Sequence, residues 1–516
     1  MAALLGMGGL LRRATTTSGD VIGLVNDGVI QFKGVPYGAP TGAARRYRDP
    51  EPAPPWRRPR ECFGYGHICP QVPTSIGHQY GRLIQFDMVA AEGGMGEDCL
   101  NLNLWTCGLR DGRKRPVIVS IHGGGFSIAS GNARIYDGAR LAKSGDVVVV
   151  TISHRLSSFG FLNLLDQDQG YPSSPSCAAN PGLADLILAL QWVRENIENF
   201  GGDPGRVMIW GQSGGGWKVS ALLALPAAQG LFSRAVVQSG SLVRFQEREA
   251  AAAVAAGFIA ALGLTRRNLA KLRTLPWPVL LEAQTKVGAQ AFMPFLDGRY
   301  ITQHAFDPAA PAQSADVPLI VSTTRDDAGL FFSNFALDEA GLMGLLRQQF
   351  GTRAQEIRQL YRDGAAARAT PFLLYARIIT DAGFRRFAYM QTERKARQGA
   401  APVYLYQWNW PSPAYDGMFG AVHAIDVAAA FGNARDAIMG GGCEPGRALS
   451  RALSSAWIAF AADGKPGAIG DVEWKPYTAT NHACLVIDDP IALADDPDRE
   501  IREFWERQPP PASVLG

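Results

Sequence analysis

From about residue 20 onward the chain alternates short, nearly uninterrupted apolar runs with longer stretches whose apolar residues recur at three-to-four spacing. The runs at 116–121, 146–152, 206–210, 234–238, 317–322 and 403–408 predict strands. They are apolar throughout rather than alternating, which predicts a parallel sheet covered on both faces. A helix is predicted over 182–200: Asn180 can cap it, Pro181 suits its first turn, and Gly201 stops it. Further helical periodicity occupies 247–263, 337–362, 384–398 and 448–463, the first two expected over the rim of the sheet. There is no internal repeat and no low-complexity linker, so residues 20–516 predict one large α/β domain. Residues 1–19 read as a tail or as the remnant of an export signal. The apolar stretch 2–11 is followed by Arg12 and Arg13 and has no basic segment before it.

Composition narrows the class. The 516 residues carry a net charge of +3, with 47% hydrophobic and 19% charged residues. That balance suits a well-buried enzyme and excludes a disordered or fibrous chain. The charges are interspersed, so no nucleic-acid partner is expected. No apolar run reaches the roughly 18 residues of a membrane span. The seven cysteines form no C-x-x-C pair and no His/Cys cluster, so no metal site is expected.

The strongest chemical signal is Gly211-Gln-Ser-Gly-Gly215, which follows the run 206–210 and precedes a helical stretch from Val219 to Leu225. Strand, turn and helix in that order are what a G-x-S-x-G nucleophile elbow requires, with Ser213 lifted clear of the sheet. The second signal is His122-Gly-Gly-Gly-Phe126, directly after the run 116–121. Acyl transfer puts negative charge on a carbonyl oxygen, and glycine backbone can bring bare N–H groups to it. One such donor is worth about 3 kcal/mol in the transition state. Gly124, Gly125 and Gly214 are the candidate donors, and the absence of a following G-K-[ST] speaks against a phosphate loop. A serine nucleophile needs a base and an orienting acid, in the order Ser, Asp/Glu, His for this elbow. Of the histidines after Ser213, His304 precedes the candidate acid and His482 reads as an ordinary surface or strand residue, leaving His423. Asp327, just beyond the run 317–322, suits the acid, and its neighbour Asp326 is an equal rival on sequence alone.

These residues, with Cys69-Pro-Gln71, Glu97-Asp-Cys-Leu-Asn-Leu-Asn103, Ser153-His-Arg-Leu156, Gly160-Phe-Leu162, Phe200-Gly-Gly-Asp-Pro204, Gln238-Ser-Gly-Ser241 and Pro294-Phe-Leu-Asp-Gly298, span almost the whole chain. Together they resemble the type-B carboxylesterase/lipase family, the cholinesterase-like branch of the α/β-hydrolases, in its bacterial form. The resemblance implies an α/β-hydrolase fold, a large mostly parallel sheet flanked by helices, with helical insertions over the active site. It implies a serine carboxylesterase working through an acyl-enzyme on a small-molecule ester, with no cofactor and no metal. It assigns Ser213 as nucleophile, Asp327 as acid where most members carry Glu, and His423 as base. It also implies a buried Glu97–Arg155 ion pair, a supporting position for Ser239, and a Cys69–Cys99 disulfide closing a loop, worth on the order of 3 kcal/mol.

Departures from the family shape the expected substrate. Gln212 stands where many members have Glu, and the 69–99 loop carries no Trp, so choline esters are disfavoured. Trp217 and Lys218 replace small residues after the elbow. They read as core packing and as a helix residue paired with a nearby carboxylate, with a specialised polar or mycotoxin-like ester as the alternative. An interfacial lipase would need an apolar lid, whereas 245–315 is charged. A non-catalytic binding relative would lack part of the triad. A periplasmic or secreted location is favoured slightly over the cytoplasm, and the chain is read as a monomer or dimer.

Overall fold

The computed structural model describes residues 10–72, 83, 93–167, 179–332, 334–362 and 369–509. A 13-stranded sheet runs through it. Its longer strands are β1 (Leu11–Thr16), β2 (Gly19–Asn26), β3 (Val29–Pro36), β4 (Asn101–Thr106), β5 (Arg115–Ile121), β6 (Val148–Ile152), β7 (Gly202–Gln212), β8 (Arg234–Gln238), β9 (Leu319–Thr324), β10 (Val403–Trp408), β11 (Ala483–Ile487) and β12 (Ala492–Asp495). Their spatial order is β1-β2-β3-β4-β6-β5-β7-β8-β9-β10-β11-β12, and Arg60–Glu61 pairs with β2. Pairing is parallel from β6 through to β11. At both ends of the sheet it is antiparallel, apart from the short Arg60–Glu61 strand, which pairs with β2 in parallel.

All six predicted strands are present, and their uninterrupted apolar character has a simple cause. Val117, Val119 and Ile121 point into one core while Ile118 points into the other, and β7 divides Val207 and Ile209 from Met208 and Trp210 in the same way. Both faces are dry, so successive residues are all apolar. Helices Pro181–Asn196 and Gly214–Ala224 cover the first face; Ile425–Ala430 and Glu444–Asp463 cover the second.

Three local expectations need correction. Leu11–Thr16, read as tail, is an edge strand in register with β2 from Leu11↔Leu24 to Thr16↔Gly19. Its mostly exposed pattern gives little apolar signal, and residues 1–9 lie outside the described part. Asn180 does not cap the helix that follows; its amide donates instead to Phe295 O (3.0 Å) and Asp297 Oδ2 (2.6 Å). The stretch 337–362 is two helices, Glu339–Phe350 and Ala354–Leu360, parted at Gly351 with φ 61°. Helix Pro371–Thr380 runs into Arg386–Gln398 through a π-helical turn, Asp381–Arg385.

The crossing of β7 and the helix behind it positions the site. A Cβ on Gly215 would lie 2.1 Å from Ile121 O, and one on Gly240 would lie 2.1 Å from Ser213 O. Gly215→Ala should therefore cost about 2–4 kcal/mol in urea unfolding, because backbone cannot move aside as a side chain can. Gly257→Ala is the control: its Cβ would meet only Val287 Cγ2 at 3.9 Å, so helix propensity should make it neutral or stabilising by about 0.5–1 kcal/mol.

Candidate active site

Ser213 sits between β7 and helix Gly214–Ala224 with φ 57° and ψ −127°, a region a residue with a side chain rarely occupies. The strain is held by Ser213 N donating to Gln238 O (2.8 Å) and by Trp217 N donating to Ser213 O (3.0 Å). Its neighbours Gln212 and Gly214 are buried while Ser213 is half-buried, so the turn pushes this one side chain toward solvent.

His423 lies in the loop before helix Ile425–Ala430, and its Nδ1 is 2.6 Å from Asp327 Oδ1. Asp327 opens a 3-10 turn just after β9, and its Oδ2 accepts from Thr324 N (3.0 Å). Asp326 has other work: Arg377 Nε (2.9 Å) and Ala421 N (2.8 Å) donate to its two oxygens. The geometry thus separates neighbours that sequence alone left tied. Ala328 N donates to Thr380 Oγ1 (2.9 Å), which holds the turn that presents Asp327. Phe384, from the π-helical turn, packs its ring 5.4 Å from the imidazole. His304 pairs with Glu247 (3.4 Å), and His482 stands edge-on to Tyr477 (5.4 Å).

Gln212, buried beside the serine, brings its Nε2 to 3.0 Å from His423 Nε2. An amide NH2 only donates, so His423 Nε2 carries the lone pair and Nδ1 the proton. That is the tautomer a general base needs. A second carboxylate, Asp426, accepts from Tyr406 Oη (2.7 Å), which in turn accepts from Gln238 Nε2 (2.7 Å); Gln238 Oε1 accepts from Trp210 Nε1. Burial, and next to it the Asp327 charge, outweigh the Tyr406 hydrogen bond and push the Asp426 carboxyl up to about 6.

The loop at 122–126 crosses in front of the serine: a Cβ on Gly123 would meet Ser213 Cβ at 3.5 Å. Gly124 and Gly125 adopt φ of 80° and 63°. Gly214 packs so closely on this loop that a Cβ there would lie 2.4 Å from Gly125 N. The three candidate donors therefore meet at one place, at the N-terminus of helix Gly214–Ala224, whose dipole favours negative charge. Trp217, half-buried against the first core, stacks on Phe126 with centroids 5.9 Å apart, beside this loop. Lys218 has no carboxylate partner among the described residues; its buried Nζ donates to His122 O (2.9 Å).

The supporting residues differ from the family-based expectation. Glu97 and Arg155 do not pair with each other. Glu97 binds Arg46 through two hydrogen bonds (2.6 and 2.5 Å), and Arg155 binds Asp185 through two more (2.8 and 2.5 Å). Each charge is still neutralised where it is buried, by a partner the sequence did not single out. A carboxylate on the buried face of the predicted helix 182–200 was the available signal for Asp185. Cys69 and Cys99 are unbridged buried thiols in hydrogen-bonding contact, which together with burial pushes the Cys99 thiol well above its ordinary value. Much of the loop between them, at 73–82 and 84–92, lies outside the described residues. Ser239 has φ 45° and donates its N–H to Ser322 O (2.8 Å), directly before Gly240 under the elbow. Among the described residues no group of three His, Cys, Asp or Glu could hold a metal ion, and no helix is long and apolar enough to cross a membrane.

A largely parallel sheet with a strained serine turn at one strand end, an acid and a histidine beyond later strands, and a glycine loop facing the serine define an α/β-hydrolase. The carboxylesterase family model matches residues 12–505, and the chain belongs to that family. Para-nitrobenzyl esterase of Bacillus subtilis (strain 168) is 34% identical over 95% of this chain and 97% of its own length. Phenmedipham hydrolase of Pseudarthrobacter oxydans is 32% identical, over 92% of this chain and 95% of its own. The crystal structure of a Geobacillus stearothermophilus carboxylesterase superposes with TM-score 0.82 at 32% identity, covering 96% of this chain and 99% of that one. The protein is a carboxylic ester hydrolase.

Asp426 generates a stability prediction. Its folded value of about 6 lies above the ordinary carboxyl value, so stability is fullest near pH 4 and falls as pH rises through 6. Asp426→Asn keeps an acceptor for Tyr406 and removes the ionisation. It should gain on the order of 2 kcal/mol over wild type near pH 7.5 and little near pH 4, read by urea unfolding. Equal differences at both pH values would contradict this.

Proposed function

We propose that Ser213, His423 and Asp327 hydrolyse uncharged carboxylic esters by two-step acyl transfer, within one domain spanning the described chain. The observation that carries the reading is the 2.6 Å contact of His423 Nδ1 with Asp327, with His423 Nε2 3.0 Å from Gln212, the chain neighbour of a serine strained into φ 57°. Ser213 Oγ attacks the ester carbonyl and gives its proton to His423 Nε2, while Nδ1–H stays on Asp327. The oxyanion is held by the N–H groups of Gly124, Gly125 and Gly214. His423 passes the proton to the leaving alkoxide, and a water molecule then repeats the sequence on the acyl-enzyme to release the acid. Asp327 is the acid because Asp326 already neutralises Arg377.

The para-nitrobenzyl relative makes aryl and benzyl esters the first alcohols to try, and neutral Gln212 in place of a carboxylate removes one attraction for a cationic one. Helices over 248–287 are tied down by Arg248–Asp166 (2.7 Å), with Arg244–Asp307 (2.5 Å) alongside, an unsuitable cover for an oil-interface lid.

Hydrolysis of p-nitrophenyl esters from acetyl to dodecanoyl tests the reading. Ser213→Ala and Asp327→Asn should each lower kcat by about 10³-fold or more, while Asp326→Asn should lower Tm more than kcat. Full activity in Ser213→Ala would overturn the assignment. Gln212→Glu would place a carboxylate where the amide now touches His423. An anion there favours the imidazolium, so the acid limb of kcat/KM should move to higher pH by about one unit.

A further inference from the structure

The oxyanion loop is anchored by side chains that the acyl-transfer scheme does not use. Three hydrogen bonds fall on the two peptide groups leading to Gly124. Lys218 Nζ donates to His122 O (2.9 Å), and Gly123 N donates to Tyr136 Oη (2.9 Å), so the peptide joining residues 122 and 123 is gripped at both ends. His122 Nδ1 meets Gly123 O at 2.9 Å, and because a carbonyl only accepts, Nδ1 is the protonated nitrogen. That bond fixes the next peptide, whose other end is the N–H of Gly124.

We propose that Lys218 and Tyr136 are positioning residues that aim the Gly124 N–H at the developing oxyanion, a role that rests on the acyl-transfer reading above. A peptide plane turns as a unit, so the His122 contact on Gly123 O fixes the Gly124 N–H. Lys218 and Tyr136 hold the preceding plane, which joins the His122 backbone to Gly123 and so sets where that contact can form. The glycines at 123–125 bring no side chain of their own to resist rotation, and Gly124 and Gly125 sit in the left-handed region that glycine enters without steric cost. Backbone hydrogen bonds from Ser127 N and Ile128 N hold Gly124 O at the far end of the loop, and at its near end Lys218 comes from the nucleophile's own helix. It therefore ties the oxyanion donor to the same rigid element that carries Ser213.

The surroundings favour a positional role over a charged one. Lys218 is fully buried, with Phe126 5.7 Å from Nζ. His122 and His154 stack at 5.0 Å nearby, and Arg155, already paired with Asp185, lies beyond. Burial without a carboxylate pushes the Lys218 ammonium well below its ordinary value, and burial holds both imidazoles low as well. A neutral amine still donates to His122 O.

The test compares wild type, Lys218→Met and Tyr136→Phe in kcat and KM for p-nitrophenyl butyrate and in inhibition by an alkyl trifluoromethyl ketone. Ser213 Oγ adds to that ketone's carbonyl, its proton goes to His423, and the resulting alkoxide occupies the oxyanion site. In the folded variants kcat should fall about 10- to 100-fold with KM changed less than about threefold, and the ketone's Ki should rise by the same factor as kcat falls. Unchanged kcat and Ki, or a change confined to KM, would overturn the proposal. If Lys218→Met does not fold, Tyr136→Phe decides on the same readouts. Failure of the ketone to inhibit wild type would instead strike the acyl-transfer reading itself.

Discussion

The site depends on how closely a helix can leave the sheet. Helix Gly214–Ala224 departs from β7 with so little room that Gly211 and Gly215 nearly touch: a Cβ on Gly211 would lie 2.2 Å from Gly215 C. Only backbone without side chains passes there. The consequence is the strained Ser213 at the apex and a helix N-terminus aimed at the point where the glycine loop 122–126 arrives. The sheet supplies the force that maintains the strain, through hydrogen bonds from β7 to its parallel neighbours on either side.

Electrostatics then sorts nearly equivalent groups into different tasks. Asp326 and Asp327 are adjacent in the chain, but Asp326 is consumed by Arg377 and the 421 backbone, which leaves Asp327 to face His423. Gln212 contacts the same imidazole without charge, and burial pushes the Asp426 carboxyl up to about 6, so its anion is disfavoured relative to an exposed carboxylate. Asp327 is the carboxylate in direct contact with His423. At the glycine loop, His122 and, behind it, Lys218 and His154 repeat the pattern with basic groups, all disfavoured as cations by burial.

Strands buried on both faces were legible because each residue must be apolar, and the elbow and glycine loop were legible because their chemistry needs glycine at set spacing. The edge strand Leu11–Thr16 was not, since one side faces water and its arginines mask the alternation. The π-helical turn Asp381–Arg385 left no mark either, and the contact its Phe384 makes with His423 joins segments far apart in the chain.

By itself the sequence determined the parallel sheet and the strand–turn–helix at Ser213, and it singled out the glycine loop 122–126 and His423 as candidates, because each is written in a local spacing of residue types. Which carboxylate serves His423, which partners neutralise Glu97 and Arg155, and what Lys218 binds were decided only in three dimensions. Those choices are pairings between distant segments, Arg46 with Glu97 and Arg155 with Asp185 among them. A buried charge requires a partner of opposite sign, and local sequence states that requirement without saying which of several candidates the fold brings within reach.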